Sequence, residues 1–130
     1  MKAETADYLT KARATLADAE QIAMLPLPHI AAREAYYAAY HAAEAYIFEQ
    51  TGKVGTTHRG VRSEFGRLAR SEPGVDRELL RFLATAYQLK ATVDYGIGPT
   101  VAPISAAQAT AAITTARRFI DTITQCCHRT

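Results

Sequence analysis

A polar and aromatic stripe runs along one side of the alanine-rich segment AREAYYAAYHAAEAY, residues 32–46. At about 100° per residue, the stripe covers roughly 140° of a helix, and alanines cover the opposite side. Arg33, Tyr37 and His41 follow at spacings of four, so each lies one turn above the last. A neutral histidine there could act as a general base and an arginine could hold a phosphate, whereas a polar ladder between helices is the structural alternative. The stripe contains Arg33, Tyr36, Tyr37, Tyr40, His41 and Glu44, opposite Ala31, Ala35, Ala38, Ala42 and Ala45.

A second candidate group lies on one side of a later helix, where Tyr87, Lys90 and Asp94 are followed by Tyr95. Lys90 and Asp94 are four residues apart, a spacing that favours an intrahelical ion pair worth roughly a few tenths of a kcal/mol. If this side meets the stripe, the two helices would enclose a cleft. Its charged and titratable members would be Arg33, His41, Lys90 and Asp94.

His58 begins a short basic helix in the string TTHRGV, where it could serve as a helix cap or lie beside backbone donors for an anion. The surrounding basic segment is either a solvated helix face or a surface for an anion or an RNA backbone. The net charge of +2 is too small to indicate nucleic-acid binding by itself. The basic segment contains Lys53, His58, Arg59, Arg62, Arg67 and Arg70, interrupted by Glu64.

Other chemistry has little support in the sequence. There is no phosphate-binding glycine loop, no zinc pattern, no acid pair at a convincing separation, and no serine or cysteine set as a nucleophile. Cys126 and Cys127 are adjacent, and a disulfide between them would strain the backbone. We expect two reduced thiols at a frayed helix end rather than a metal site, and we expect neither a metal nor a cofactor.

Composition indicates an ordinary globular protein. A length of 130 residues with 48% hydrophobic and 22% charged side chains is typical of one soluble domain, here residues 1–130. No run approaches the ~20 apolar residues of a membrane span. The N-terminal MKAETADYLTKAR carries charge where a signal peptide is apolar. We therefore expect a cytoplasmic protein without membrane association.

Five helices are predicted, because apolar residues recur at spacings of three and four and strand signals are absent. The predicted spans are about Thr5–Met24, His29–Thr51 and Thr57–Arg70, then a helix from an Asp76 cap to Gly96 and one from a Ser105–Gln108 capping box. The predicted buried sides are Leu9, Ala12, Leu16, Ala19 and Ala23; Leu80, Leu83, Ala84, Tyr87 and Ala91; and Ala109, Ala112, Ile113, Ala116, Ile120 and Ile123. Short connections favour antiparallel neighbours, which predicts an all-α, up-and-down bundle of four long helices plus one short helix.

Three segments together resemble the small stand-alone HEPN-domain proteins: AREAYYAAYHAAEAYIFEQTG, THRGVRSEFGRL and LLRFLATAYQLKATVDYG, followed by an alanine-rich last helix. The resemblance runs from about residue 5 to 125. It implies a four- to five-helix bundle, frequently dimeric and often encoded beside a minimal nucleotidyltransferase. Many members are ribonuclease toxins with the nucleotidyltransferase as antitoxin. Their signature is an arginine followed four to six residues later by a histidine, near the end of the penultimate long helix, and the two protomers' motifs meet at the dimer interface.

The chain departs from this signature. Lys90, Asp94 and Tyr95 stand at the corresponding place, and no arginine lies four to six residues before a histidine. Lysine can hold a phosphate, but aspartate is a poor substitute for a histidine that exchanges protons near neutral pH. The resemblance gives Tyr95 a position near the family's active site. Nucleotidyl transfer to its hydroxyl by a cognate enzyme is one role for Tyr95, and a phenol in the core is the other.

Three functional hypotheses follow. The first is a HEPN protein of a nucleotidyltransferase-linked, toxin-antitoxin-like system that binds a protein partner, with nucleotide or RNA as a further ligand. The second is a ribonuclease toxin with a variant active site of His41 and Lys90, with Asp94 as a further catalytic candidate. The third is a non-catalytic dimerisation or assembly module; a homodimer is expected and does not distinguish among them. The ligand-binding candidates are Arg33, Tyr37, His41, His58, Lys90, Asp94 and Tyr95.

Overall fold

The computed structural model describes residues 1–99 and 101–129. These residues form five α-helices and no β-strand, which confirms the predicted all-α bundle. The helices are α1 (Ala3–Ile22), α2 (Pro28–Thr51), α3 (His58–Ala69), α4 (Arg77–Tyr95) and α5 (Ala106–His128). None of the described helices is both long enough and apolar enough to cross a lipid bilayer.

Local sequence determines where most of the helices begin and end. Pro28 lies in the first turn of α2, where its missing N–H leaves no hydrogen bond unmade, and Gly52 closes the helix with a φ of 79°. α1 begins at Ala3 and ends at Ile22, two residues earlier at each end than predicted. Side-chain caps begin the other helices: Thr57 accepts from the Gly60 N–H, Asp76 from Leu79, and Ser105 from Gln108 within a capping box.

The long helices alternate in direction, as the contacts between their ends show. Tyr8 near the start of α1 contacts Phe48 near the end of α2, and Arg33 near the start of α2 contacts Asp94 near the end of α4. Between α1 and α5, Arg13 pairs with Asp121, whereas Glu20, further along α1, pairs with Arg117, which is earlier in α5. The short helix α3 instead runs in the same direction as α2. His58 at the start of α3 contacts Tyr36, whereas Phe65 further along contacts Tyr46. The start of α3 therefore lies beside the polar stripe of α2.

Helix α2 is the central element, because it contacts all four other helices. Twelve of its residues are buried, and eight of these are alanines. Alanine has the smallest side chain that keeps a high helix propensity, so neighbouring helices can approach α2 closely. The residues of α2 that stay half-buried include Arg33, Glu34, Tyr37, His41 and Glu44. The tight packing of the alanines thus leaves the polar stripe facing α3, α4 and the solvent.

The buried side of α4 differs from the prediction. Of the predicted residues only Leu83 is buried; Ala84 is exposed, and Leu80, Tyr87 and Ala91 are half-buried. The other buried residues of α4 are Leu79, Phe82, Ala86 and Lys90. Phe82 turns inward to contact Phe119 of α5, with ring centroids 6.1 Å apart. In α1, Ala23 is also exposed, because it is the C-cap of the helix rather than part of its buried side.

The end of α5 also corrects an expectation. Cys126 and Cys127 are 2% and 0% exposed, so they do not lie at a frayed helix end. They are buried because α5 continues to His128 and packs along α2. Burial raises the pKa of the Cys127 thiol to about 12, with the negative charge of Glu49 acting in the same direction. The thiol is therefore protonated and unreactive near neutral pH. The remaining predicted core of α5 is confirmed.

Candidate functional site

The stripe of α2 meets the end of α4 at Asp94. Arg33 Nη1 donates to Asp94 Oδ1 at 3.2 Å, and Lys90 Nζ lies 3.0 Å from Asp94 Oδ2. Each carboxylate oxygen therefore holds one cation, and the predicted Lys90–Asp94 ion pair is present. Arg33 also lies 3.8 Å from Glu34, its neighbour in α2. The two faces that the sequence singled out are in direct contact.

Lys90 is buried, with only 5% of its surface exposed. Burial by itself lowers the pKa of this ammonium, but the hydrogen bond to Asp94 and the nearby Tyr37 raise it overall. Burial likewise acts to raise the pKa of Asp94, yet Lys90 and Arg33 hold it below its ordinary value. Both groups are therefore charged near neutral pH, and each is the reason that the other stays ionised inside the protein.

Three tyrosine rings surround the Lys90 ammonium. Its Nζ lies 5.9 Å from the centroid of Tyr37, 5.6 Å from Tyr87 and 5.0 Å from Tyr95, within the range of cation–π attraction. Tyr95 is 69% exposed and forms the outer wall of this group. The expectation of a core phenol at Tyr95 is therefore wrong, because the ring covers Lys90 from the solvent side instead of packing among apolar residues.

His58 lies on the other side of the same tyrosines. Its Nδ1 is 2.8 Å from the Tyr36 hydroxyl, and its ring stacks on Tyr40 with centroids 4.4 Å apart. Burial and the positive charges of Lys90 and Arg62 lower the pKa of His58. Thr57, not His58, is the side-chain cap of α3. His58 is thus a neutral imidazole near neutral pH, and it belongs to the cluster rather than to the helix end.

Arg62 is a member of the cluster that the sequence analysis did not single out. Its guanidinium lies 3.7 Å from the centroid of the Tyr87 ring. Its Nη1 is buried and meets no hydrogen-bond acceptor among the described residues. The available signal was the spacing of four between His58 and Arg62, which puts both on one side of α3. Here a cation and an imidazole face the tyrosines from the same helix.

His41 lies at the edge of this group, next to Tyr40. Its Nδ1 lies 2.8 Å from Glu44 Oε1, and its ring contacts the edge of Tyr40. The hydrogen bonds and ring contacts of Lys90 are to Asp94 and the three tyrosines around it. Of the residues expected in the cleft, Arg33 and Lys90 therefore meet at Asp94, whereas the contacts of His41 are to Glu44 and Tyr40.

The rest of the basic segment faces solvent. Lys53, Arg59 and Arg70 are exposed, and Arg67 forms an ion pair with Glu64. Arg62 differs from these residues because it turns inward onto Tyr87. In the described part of the chain, no group of three His, Cys, Asp or Glu side chains is arranged to hold a metal ion.

Fold and site together define a small helical-bundle protein with cationic side chains set among tyrosines where α2, α3 and α4 meet. The site cluster consists of Arg33, Tyr36, Tyr37, Tyr40, His58, Arg62, Tyr87, Lys90, Asp94 and Tyr95. The HEPN domain model matches residues 5–126, so the chain belongs to the HEPN domain family. No protein with a curated description matches the chain significantly.

Proposed function

We propose that this HEPN protein binds the phosphate groups of a nucleotide or an RNA at the site cluster. The observation that carries the proposal is Arg62, whose buried Nη1 has no acceptor among the described residues. Leaving a buried donor unsatisfied costs about 1–3 kcal/mol, and the cost is greater for a charged group. A phosphate oxygen would accept this hydrogen bond and would also neutralise a guanidinium that has no carboxylate partner.

The surroundings of Arg62 support a nucleotide more than a bare anion. Lys90 shares the Tyr87 ring with Arg62, so a second cation lies near the same place. Tyr95 is largely exposed beside Lys90, and an exposed aromatic ring is a surface on which a base can stack. Asp94 orients Lys90 and Arg33, and its charge reduces the excess of positive charge. The proposed ligand therefore combines a phosphate with an adjoining base.

The biological setting in this proposal is a nucleotidyltransferase-linked, toxin-antitoxin-like system, with the nucleotidyltransferase as protein partner and a homodimer as the working form. The support is membership of the HEPN family, which is generally associated with ribonuclease or toxin-antitoxin roles. Recovery of a stable complex after co-expression with such an enzyme tests this part.

Ribonuclease activity is the second candidate, and the position of His58 favours it. A neutral imidazole that is hydrogen-bonded to Tyr36 and lies beside two cations has the composition of a general base with charge stabilisation nearby. His41 and Lys90, the pair that the sequence suggested for this role, share no contact. In this candidate His58 would take the proton from a ribose hydroxyl, and Arg62 would stabilise charge on the phosphate.

One assay tests both candidates. Fluorescein-labelled single-stranded RNA is titrated with wild-type protein, Arg62→Gln and Arg59→Gln, and the bound RNA is then examined for cleavage. Because charge-assisted hydrogen bonds contribute roughly 1.5–3 kcal/mol, we expect Arg62→Gln to weaken binding at least about tenfold. Arg59→Gln, an exposed change of equal charge on the same helix, should change it less than about twofold.

Equal losses of RNA affinity in Arg62→Gln and Arg59→Gln would contradict the proposed site. If the folded wild-type protein shows no saturable RNA binding, the hypothesis of a non-catalytic assembly module is favoured. Cleavage that disappears in His58→Gln but persists in His41→Gln would establish the ribonuclease with His58 as its base. Circular dichroism of each variant provides the check on folding.

A further inference from the structure

A groove with a volume of about 680 Å³ runs between α4 and α5, away from the site cluster. It is lined along α4 from Arg77 to Leu89, which corresponds to a length of about 18 Å at 1.5 Å per residue. Around α4, the groove side and the side that carries Lys90 are roughly 150° apart at 100° per residue. The groove is thus a separate surface of the same helix.

The floor of the groove is apolar and shallow. Phe82, Ala86 and Ala112 line it, and each is less than 10% exposed. Ala111 forms part of the α5 wall and is itself exposed. Because α5 presents alanines here, no large side chain fills the space between the two helices. A side chain from another molecule could therefore contact the floor directly.

Two arginines on the rim carry charge that nothing in the described part of the chain neutralises. Arg77 and Arg81 are one helical turn apart on α4, and both line the groove. No hydrogen bond or ion pair to either side chain is present among the described residues. Glu78, which lies between them in sequence, is paired with Arg118 of α5. The rim therefore presents two positive charges at a spacing of four residues beside an apolar floor.

We infer that this groove binds an acidic, amphipathic α-helix of a partner protein, about 12 residues long. Its length matches three turns of helix, and an open trough with an apolar floor is the usual receptor for the apolar side of such a helix. Carboxylates four residues apart on the partner helix would lie opposite Arg77 and Arg81. The partner is recognised by this combination of an apolar stripe and an acidic edge.

Other occupants fit less well. A second copy offers no stripe of exposed large apolar side chains along a described helix. The exposed large apolar side chains of the described residues are at the start of the chain, in the turn between α1 and α2, and around the end of α4: Met1, Met24, Leu25, Leu27, Tyr95 and Ile97. RNA would find two cations but no exposed ring for stacking, because Phe82 is only 7% exposed. A small amphiphile would remain largely in contact with solvent in a trough that is open along its length, whereas good small-molecule sites enclose most of their ligand.

The test selects binders from a display library of 14-residue helical peptides in which all positions of one face are randomised. The bait is the full chain, and selection is repeated with Ala111→Trp, which fills the groove, and with Thr110→Trp, an exposed change next to it. Selected peptides are then measured by fluorescence anisotropy against Arg77→Gln/Arg81→Gln. The double variant Arg59→Gln/Arg70→Gln has the same net charge and serves as its control.

We expect enriched peptides to carry apolar residues at i, i+3, i+4 and i+7 and acidic residues four apart. Their binding should weaken at least about tenfold with Ala111→Trp and about fivefold to tenfold with the groove arginine pair, and little with either control. The inference is overturned if no enriched peptide is sensitive to Ala111→Trp, or if groove-dependent peptides lack acidic residues. Loss of a wild-type dimer in Ala111→Trp on sedimentation would also overturn it, because the groove would then bind a second copy. RNA binding that depends on Arg77 and Arg81 would overturn it in favour of nucleic acid.

Discussion

The two sides of α4 treat positive charge in opposite ways. On the side facing α2, Lys90 is buried, and the carboxylate of Asp94 forms ion pairs with both Lys90 and Arg33. On the side facing α5, Arg77 and Arg81 border an apolar groove and have no acidic partner among the described residues. The charge of Lys90 is therefore balanced within the chain, whereas the charges of Arg77 and Arg81 face solvent or another molecule.

This difference indicates that charges on one side of α4 serve stability and charges on the other side serve binding. A buried charge must be neutralised where it lies, so the Lys90 side is part of what holds α2 and α4 together. A charge on an open rim costs the folded protein little and is available to a ligand. The site cluster combines both situations, because Asp94 satisfies Lys90 whereas Arg62 keeps an unsatisfied donor. Changes on the two sides should therefore separate stability from binding.

The largest effect on stability is expected from Asp94→Asn. This change leaves Lys90 buried without its counter-charge, and we expect the free energy of unfolding to fall by about 2 kcal/mol, less than for a fully buried pair because Asp94 is partly exposed. Urea denaturation monitored by circular dichroism measures it. Asp121→Asn, which breaks an exposed pair with Arg13, should cost less than about 0.5 kcal/mol.

Adding Lys90→Met to Asp94→Asn should recover part of this loss, because the unpaired buried charge is then removed. If Asp94→Asn is no more destabilising than Asp121→Asn, the Lys90–Asp94 pair does not stabilise the contact between α2 and α4. The proposed difference between the two sides of α4 would then be wrong.

A smaller, pH-dependent effect is expected at His58. Burial, Lys90 and Arg62 lower the pKa of the folded histidine, so the unfolded chain takes up a proton first as the pH falls. Stability is at its full value above about pH 6.5 and decreases as the pH is lowered from there toward the folded pKa. Denaturation at about pH 7.5 and about pH 5.5 should show this loss, and it should be smaller in His58→Gln. An identical loss in the variant would mean that other groups cause it.

The smallest effect on stability is expected on the groove side. Arg77→Gln/Arg81→Gln removes two exposed charges without partners, so the free energy of unfolding should stay within about 0.5 kcal/mol of the wild type. Arg118→Gln, which loses hydrogen bonds to Asp76 and Glu78, should cost up to about 1 kcal/mol. If the groove pair proves more destabilising than Arg118→Gln, its arginines contribute to the fold and are not held ready for a ligand.

The sequence was sufficient for features that depend on neighbouring residues. The caps at Asp76 and Ser105, the left-handed end at Gly52 and the Lys90–Asp94 spacing all involve residues within one turn of each other, so local pattern predicts them. The buried side of α5 was also predictable, because its apolar residues keep a regular helical spacing.

The assembly of the site was less predictable, because it depends on how α3 and α4 sit against α2. His41 and His58 are equally plausible in sequence, and only the direction of α3 brings His58 to Tyr36 and Tyr40. In the sequence, Arg62 cannot be told apart from the solvated arginines of α3, because its contact is with Tyr87 of α4. The buried face of α4 was misassigned for the same reason: Phe82 faces inward because Phe119 of α5 lies opposite.

The eight buried alanines of α2 have a consequence for how this chain can change by mutation. Each is 0% exposed in the close-packed interior, so we expect a larger side chain there to push a neighbouring helix outward. Displacement of α4 would lengthen the contact between Arg33 and Asp94 without altering either residue. Substitutions of these alanines by slightly larger residues should therefore alter the geometry of the site without changing any of its residues. The small side chains of α2 are thus needed to keep the site in place.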